Sequence, residues 1–149
     1  MNHPKISIVV PCRNERDHIE TAILSILSQT NITEQFEIIV ADGQSDDGTQ
    51  DILKKLAAND SRIRIINNPR RIVSTGLNQA IRIAKGDIII RMDTHSVYAD
   101  NYVSSCIEAL FLTGAQNVGG PARTLAHDYV QQAISIAYHS PFAVGGALF

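Results

Sequence analysis

Asp93-Thr94-His95 sets a carboxylate and an imidazole one residue apart, directly after the run Ile88-Ile-Ile-Arg-Met92. On a strand end, residues with that spacing face the same cleft. Carboxylate and imidazole together suit manganese, magnesium or a later transition ion, and two protein ligands leave coordination positions for phosphate oxygens. An ion held there would act as a Lewis acid on a departing diphosphate. The spacing alone equally allows Asp93 to cap a loop and His95 to bond nearby backbone.

Other polar clusters also follow apolar runs. Asp42 comes after Phe36–Ala41 and before Gly43, where its carboxylate could accept the N–H of a pyrimidine ring. Asp46 and Asp47 precede Gly48 and Thr49 at a helix start, so turn and capping roles suit them better than catalysis. Arg13 and Glu15 follow the first apolar run; an arginine there can meet phosphate or base and a glutamate ribose hydroxyls, or the two can form a surface ion pair. Arg70 and Arg71 form a tight basic pair suited to a diphosphate, or a solvated loop. Asn78, on the helix that follows, reaches the same ligand or faces water.

Short apolar strands at Ile6–Val10, Phe36–Ala41, Ile63–Ile66 and Asp87–Met92 alternate with helical patterns. The helices carry Ile19, Ala22, Ile23, Ile26 and Leu27, then Ile52, Leu53, Leu56 and Ala57, then Leu77, Ala80, Ile81 and Ala84 before Gly86. Continuous apolar strands joined by helical crossovers imply an α/β fold with a mostly parallel sheet and helices on both faces. Tyr102–Thr113 and Tyr129–Tyr138 are predicted as further helices, the latter amphipathic through Val130, Ala133, Ile134 and Ala137, and Asn117–Gly120 as a short last strand. In such sheets ligands bind where loops leave the carboxyl ends of the strands, and each of the four strands supplies one polar cluster there.

The 149 residues fit one domain, and a net charge of −2 gives no overall field for nucleic acid or anionic lipid. Cys12 and Cys106 are too sparse for a metal site and read as reduced core thiols of a cytoplasmic protein. No apolar run approaches the roughly 20 residues of a membrane span. A phosphoacceptor domain would need acidic residues after the first strand and a late lysine, which only Glu15 partly answers. A nicotinamide site would need a GxGxxG after the first strand, and none is present.

The segments Ile6–Glu15 (ISIVVPCRNE), Ile39–Thr49 (IVADGQSDDGT) and Gly86–His95 (GDIIIRMDTH) together resemble family 2 glycosyltransferases of the GT-A fold. Within that family, RMDTH at Arg91–His95, NVGGP at Asn117–Pro121 and SPFAVGG at Ser140–Gly146 resemble the succinoglycan-biosynthesis branch. The resemblance implies a nucleotide-sugar donor, usually a UDP-sugar, with Mn2+ or Mg2+ on its diphosphate. It further implies that Pro11, Arg13 and Glu15 line the nucleoside pocket and that Asp42 reads the base. Asp93 and His95 fall on the DXD positions, the first facing ribose and metal and the second the metal, with His95 replacing a carboxylate. The implied reaction is inverting transfer to the hydroxyl of a saccharide or lipid-linked saccharide, in extracellular polysaccharide or glycan synthesis. The resemblance further implies that the base lies beyond Phe149; Asp100 and Asp128, the replacements this chain could offer, read as helix-start residues. A donor-binding part without an acceptor part is therefore expected, and a nucleotide-sugar-binding module without transfer is the alternative. Apolar surface at Ile134, Ala137, Phe142 and Leu148 leads to the expectation of a homodimer, and the family suggests peripheral membrane association of a full-length protein.

Overall fold

The computed structural model describes residues 5–32, 36–120, 128–138 and 140. In chain order the elements are β1 (Ile6–Cys12), α1 (Ile19–Leu27), β2 (Phe36–Asp42), α2 (Thr49–Asn59), β3 (Ile63–Asn67), α3 (Val73–Ile83), β4 (Ile88–Arg91), α4 (Tyr102–Thr113) and α5 (Tyr129–Tyr138). All four strands are parallel, in the order β3-β2-β1-β4. Cys12, Asp42 and Asn67 stand side by side at the carboxyl ends of β1, β2 and β3. The strand order reverses between β1 and β4, and that reversal opens a crevice at the carboxyl edge.

β1 and β2 are buried on both faces, because parallel strands joined by crossover helices are covered above and below. Ile6, Ile8, Val10, Ile38 and Val40 pack with Ile19, Ile23, Ile26, Leu53 and Val103, so α1, α2 and α4 cover one face. On the other face Val9 and Ile39 meet Ala80 of α3. Small residues let α3 approach closely: a Cβ on Gly76 would lie 3.1 Å from Ala41 Cβ. β3 and β4 lie at the edges and are only partly buried, with Ile89 exposed, so the expectation of strands buried on both faces holds for the central pair alone.

Gly86 follows α3 but does not cap it, since the helix ends at Ala84 in an extended conformation. Its role is close approach: an added Cβ would sit 2.4 Å from the Ser7 backbone nitrogen. Ser7, wholly buried, accepts the Gly86 N–H at 2.9 Å and donates to Glu37 Oε1 at 2.7 Å. That pair sets β4 beside β1.

The chain divides into two compact units, Met1–Glu108 and Ala109–Phe149. The first holds the sheet. In the second, the expected strand at Asn117–Gly120 is not formed: those residues pair with no strand among the described residues, and an isolated extended segment gains no ladder hydrogen bonds. Helix α5 forms as expected, and its apolar residues Val130, Ala133, Ile134 and Ala137 are exposed, as the expectation of apolar surface at Ile134 and Ala137 has it. Phe142, Leu148 and residues 141–146 lie outside the described residues. Among the described residues no helix is long and apolar enough to cross a membrane.

Candidate functional site

The loops after β1 and β2 are laced together. Asn14 and Asp46 exchange two hydrogen bonds of 3.0 Å, Asn14 N–H donates to Ser45 Oγ at 2.8 Å, Glu15 N–H to Thr49 Oγ1 at 2.8 Å, and Arg16 N–H to Asp47 Oδ2 at 3.0 Å. Asp47 also accepts the Thr49 N–H and hydroxyl, and the hydroxyl bond is the main cause holding its carboxyl below the usual range. Asp46 and Asp47 are thus structural, as their position predicts, although Asp46 ties one loop to the other instead of capping α2.

Asn14, Gln44 and Arg71, all in loops at the carboxyl edge, take left-handed backbone conformations with φ of 54°, 57° and 59°. Such angles are uncommon outside glycine and persist where the surroundings fix them. Here side chains do so: the Asn14 amide grips Asp46, and Arg71 Nε donates to Gln44 Oε1 at 3.0 Å.

Asp42 ends β2 and is 4% exposed. Its Oδ1 accepts from Ser45 Oγ at 2.6 Å and Ser45 N–H at 3.2 Å, and its Oδ2 from Gln50 Nε2 at 2.9 Å. The carboxylate borders a cavity of about 660 Å³ lined also by Gln44, Ser45, Gln50, Lys54 and Arg71. Beneath it, burial, then the charges of Asp42, Glu15 and Asp47, push the Cys12 thiol up to about 12. Cys12 is buried as expected, while Cys106 is only half-buried.

Pro11, Arg13, Glu15 and Arg71 come together around a second cavity of about 150 Å³, with Cys12, Gly43 and Asn68. Arg71 borders both cavities. Asn68 is buried at the mouth of α3, donating to Ile72 O and accepting from Thr75 Oγ1. Asn78 is exposed on α3 and lines neither cavity.

On the far side of β1, Asp93 and His95 occupy the loop after β4. Both oxygens of Asp93 are held by Arg91, at 2.9 and 3.0 Å, and this bond raises the arginine above its ordinary value. The Asp93 N–H donates to Tyr98 Oη at 2.7 Å. His95 Nε2 lies 2.8 Å from Glu15 Oε1, and its ring meets the His18 ring edge-on with centroids 4.8 Å apart. Glu15 therefore pairs with His95, not with Arg13. Among the described residues no group of three or more His, Cys, Asp and Glu side chains is arranged to hold a metal ion. A carboxylate and an imidazole, both substantially exposed, still fit a divalent ion that draws its remaining ligands from phosphate and water.

His18 and Gln50 escaped the sequence reading. The signal for His18 was its place three residues after Glu15 at the start of α1, which turns both toward one cleft. For Gln50 it was a polar side chain in the first turn of the helix that follows Asp42.

Residues 7–132 match the family described as Glycosyl transferase family 2. The succinoglycan biosynthesis protein ExoA of Rhizobium meliloti is 36% identical over 94% of this chain and 43% of its own length. A mannosyltransferase from Pyrobaculum calidifontis, solved with GDP-Man and Mn2+, superposes with a TM-score of 0.67 at 26% identity, over 73% of this chain and 33% of that one. S. aureus TarS, solved with UDP, shares the fold with a TM-score of 0.63 at 19% identity, over 83% of this chain and 40% of that one. The chain thus spans less than half the length of each of these proteins.

Proposed function

This chain belongs to glycosyl transferase family 2, and we propose that the carboxyl edge of its sheet binds a UDP-sugar and serves transfer of the sugar, with inversion, to the hydroxyl of a saccharide acceptor. The observation that carries the reading is the meeting of Pro11, Arg13, Glu15 and Arg71 around one cavity that shares Arg71 with the cavity at Asp42. A buried carboxylate with hydrogen-bonding capacity suits a base N–H, and two arginines beside it suit phosphate oxygens. Glu15, on the same wall, suits ribose hydroxyls.

Asp93 and His95 would hold Mn2+ or Mg2+ at the crevice between β1 and β4, exchanging their present partners Arg91 and Glu15. A bound ion would supply charge neutralisation for the leaving diphosphate. The chain's own part is to fix the base at Asp42, clamp the diphosphate with Arg71 and Arg13, and direct the sugar toward the open side of the crevice. The likeness to ExoA, named for succinoglycan biosynthesis, supports polysaccharide synthesis as the setting of this reaction.

Calorimetric titration of UDP into the full chain, with and without Mn2+, tests this reading. Binding that Mn2+ strengthens, that Asp42→Ala abolishes and that His95→Ala renders metal-independent is the expected result. No binding of any nucleoside diphosphate under any metal would overturn it.

A further inference from the structure

Gln50, a residue with no assigned part in donor binding, sits where it sets how many hydrogen bonds Asp42 can still accept. A carboxylate offers about four lone-pair sites, two on each oxygen. On Oδ1 both are taken, by Ser45 Oγ at 2.6 Å and Ser45 N–H at 3.2 Å. On Oδ2 one is taken by Gln50 Nε2 at 2.9 Å, and the Ser45 N–H leans toward the same atom at 3.3 Å. One acceptor site is left. Ser45 cannot turn its hydroxyl away without loss, because its oxygen already accepts the Asn14 N–H at 2.8 Å, so its single proton goes to Asp42.

From this count we propose that Gln50, with Ser45, restricts the Asp42 pocket to a ketopyrimidine base, uracil or thymine, and rejects guanine. The inference rests on the nucleotide-binding reading and adds to it the residue that selects the base. A ketopyrimidine presents one ring N–H between two carbonyl oxygens, so one open acceptor satisfies it. Guanine presents two adjacent donors, N1–H and the N2 amino group, and is held by a carboxylate only when both oxygens are open. Cytosine places an unprotonated ring nitrogen opposite the carboxylate, acceptor against acceptor.

The same side chains answer the two carbonyls. Gln50 Nε2 carries two protons and spends one on Oδ2, which leaves a second N–H on a side chain that lines the cavity. Lys54 lines the same cavity one turn further along α2, with an ammonium that is exposed and only loosely paired to Asp51 at 3.5 Å. Donor, acceptor, donor on the protein is thus the complement of acceptor, donor, acceptor on the base. Guanine in that place would leave a buried amino proton without a partner, which costs about tenfold or more in affinity.

The test is competitive titration of UDP, dTDP, GDP and CDP against the full chain and against Gln50→Leu and Gln50→Met, both of which keep the side-chain bulk and remove its donors. The full chain is expected to bind UDP or dTDP about tenfold or more tightly than GDP. In both variants the ratio is expected to shrink to about threefold, with GDP gaining as Oδ2 opens. UDP against dTDP separates the two ketopyrimidines, through the ribose 2′-hydroxyl and the 5-methyl group. A ratio unchanged in both variants, or GDP binding tighter to the full chain, overturns the inference while nucleotide binding itself stands. No binding of any of the four overturns both.

Discussion

His95 Nε2 and Glu15 Oε1, 80 residues apart in sequence, meet at 2.8 Å across the crevice where the strand order reverses. The bond ties the loop after β1 to the loop after β4, the two walls between which a ligand of such a sheet binds. Glu15 is the better buried partner, with 14% of its side chain exposed against 62% for His95. Of the two, His95 is freer to turn toward a ligand.

On the proposed reading, removal of Glu15 acts on nucleotide binding directly. Glu15→Ala is expected to weaken UDP binding about ten- to a hundredfold, the worth of a hydrogen bond to a charged group. His95→Ala is expected to leave metal-free UDP binding within about threefold and to remove the Mn2+-dependent increment, because His95, the exposed partner of the pair, adds little to holding Glu15. Calorimetry with and without Mn2+ distinguishes the two patterns; identical losses in both variants would count against separate roles.

Arg91 competes with any cation for Asp93. Its two bonds to the carboxylate, at 2.9 and 3.0 Å, join side chains that are 54% and 41% exposed, so the pair is worth at most about 1 kcal/mol. Arg91→Ala should tighten Mn2+ binding by up to about fivefold, read from the free-Mn2+ electron paramagnetic resonance signal. Weaker Mn2+ binding would mean that Arg91 positions Asp93 for the ion instead.

The sequence revealed the elements of the first unit because the crossovers are punctuated: Gly43, Asn68-Pro69 and Gly86 stand where strands and helices give way to loops, while β1 runs past Pro11 to Cys12. It also revealed that Pro11, Arg13, Glu15 and Arg71 would gather at one edge, where they line one cavity, since residues at the carboxyl ends of parallel strands converge whatever their separation. It did not reveal that Glu15 would choose His95 over Arg13, because a loop contact depends on backbone turns such as the left-handed Asn14. Asn78, which the sequence allowed either to reach the ligand or to face water, lies on the outer side of α3, because Gly76 and Ala80 to either side of it face the sheet. The strand at Asn117–Gly120 failed because composition cannot supply a pairing partner.

Cys12 makes stability fall in alkali. Burial and neighbouring carboxylates raise its thiol from 9.0 to about 12, so between those values the unfolded chain has lost a proton that the folded chain keeps. The stabilising effect is complete below pH 9 and is lost as pH rises toward 12, at about 1.4 kcal/mol per pH unit within that window. Urea unfolding at pH 8, 9.5 and 10.5 should show the decline, and Cys12→Ala should remove this component of it. An equal slope in the variant would assign the alkaline loss to other groups.

Gly86→Ala tests how β4 is set against β1, and with it the crevice. The added methyl carbon would stand 2.4 Å from Ser7 N and 2.7 Å from Ile6 C, both backbone atoms that cannot move aside without shifting β1. Ser7→Ala attacks the same junction without adding bulk: it leaves the Gly86 N–H and Glu37 Oε1 without their shared partner. Overpacking predicts a loss of about 1–3 kcal/mol or more for Gly86→Ala, and the unpaired N–H predicts about 1–3 kcal/mol for Ser7→Ala. Because both changes act on the β1–β4 spacing, the double variant should lose less than the sum of the single ones. Urea unfolding of all four proteins measures that difference. Strict additivity would mean that Ser7 and Gly86 stabilise the fold independently, and that the distance between the Glu15 and His95 loops is set elsewhere.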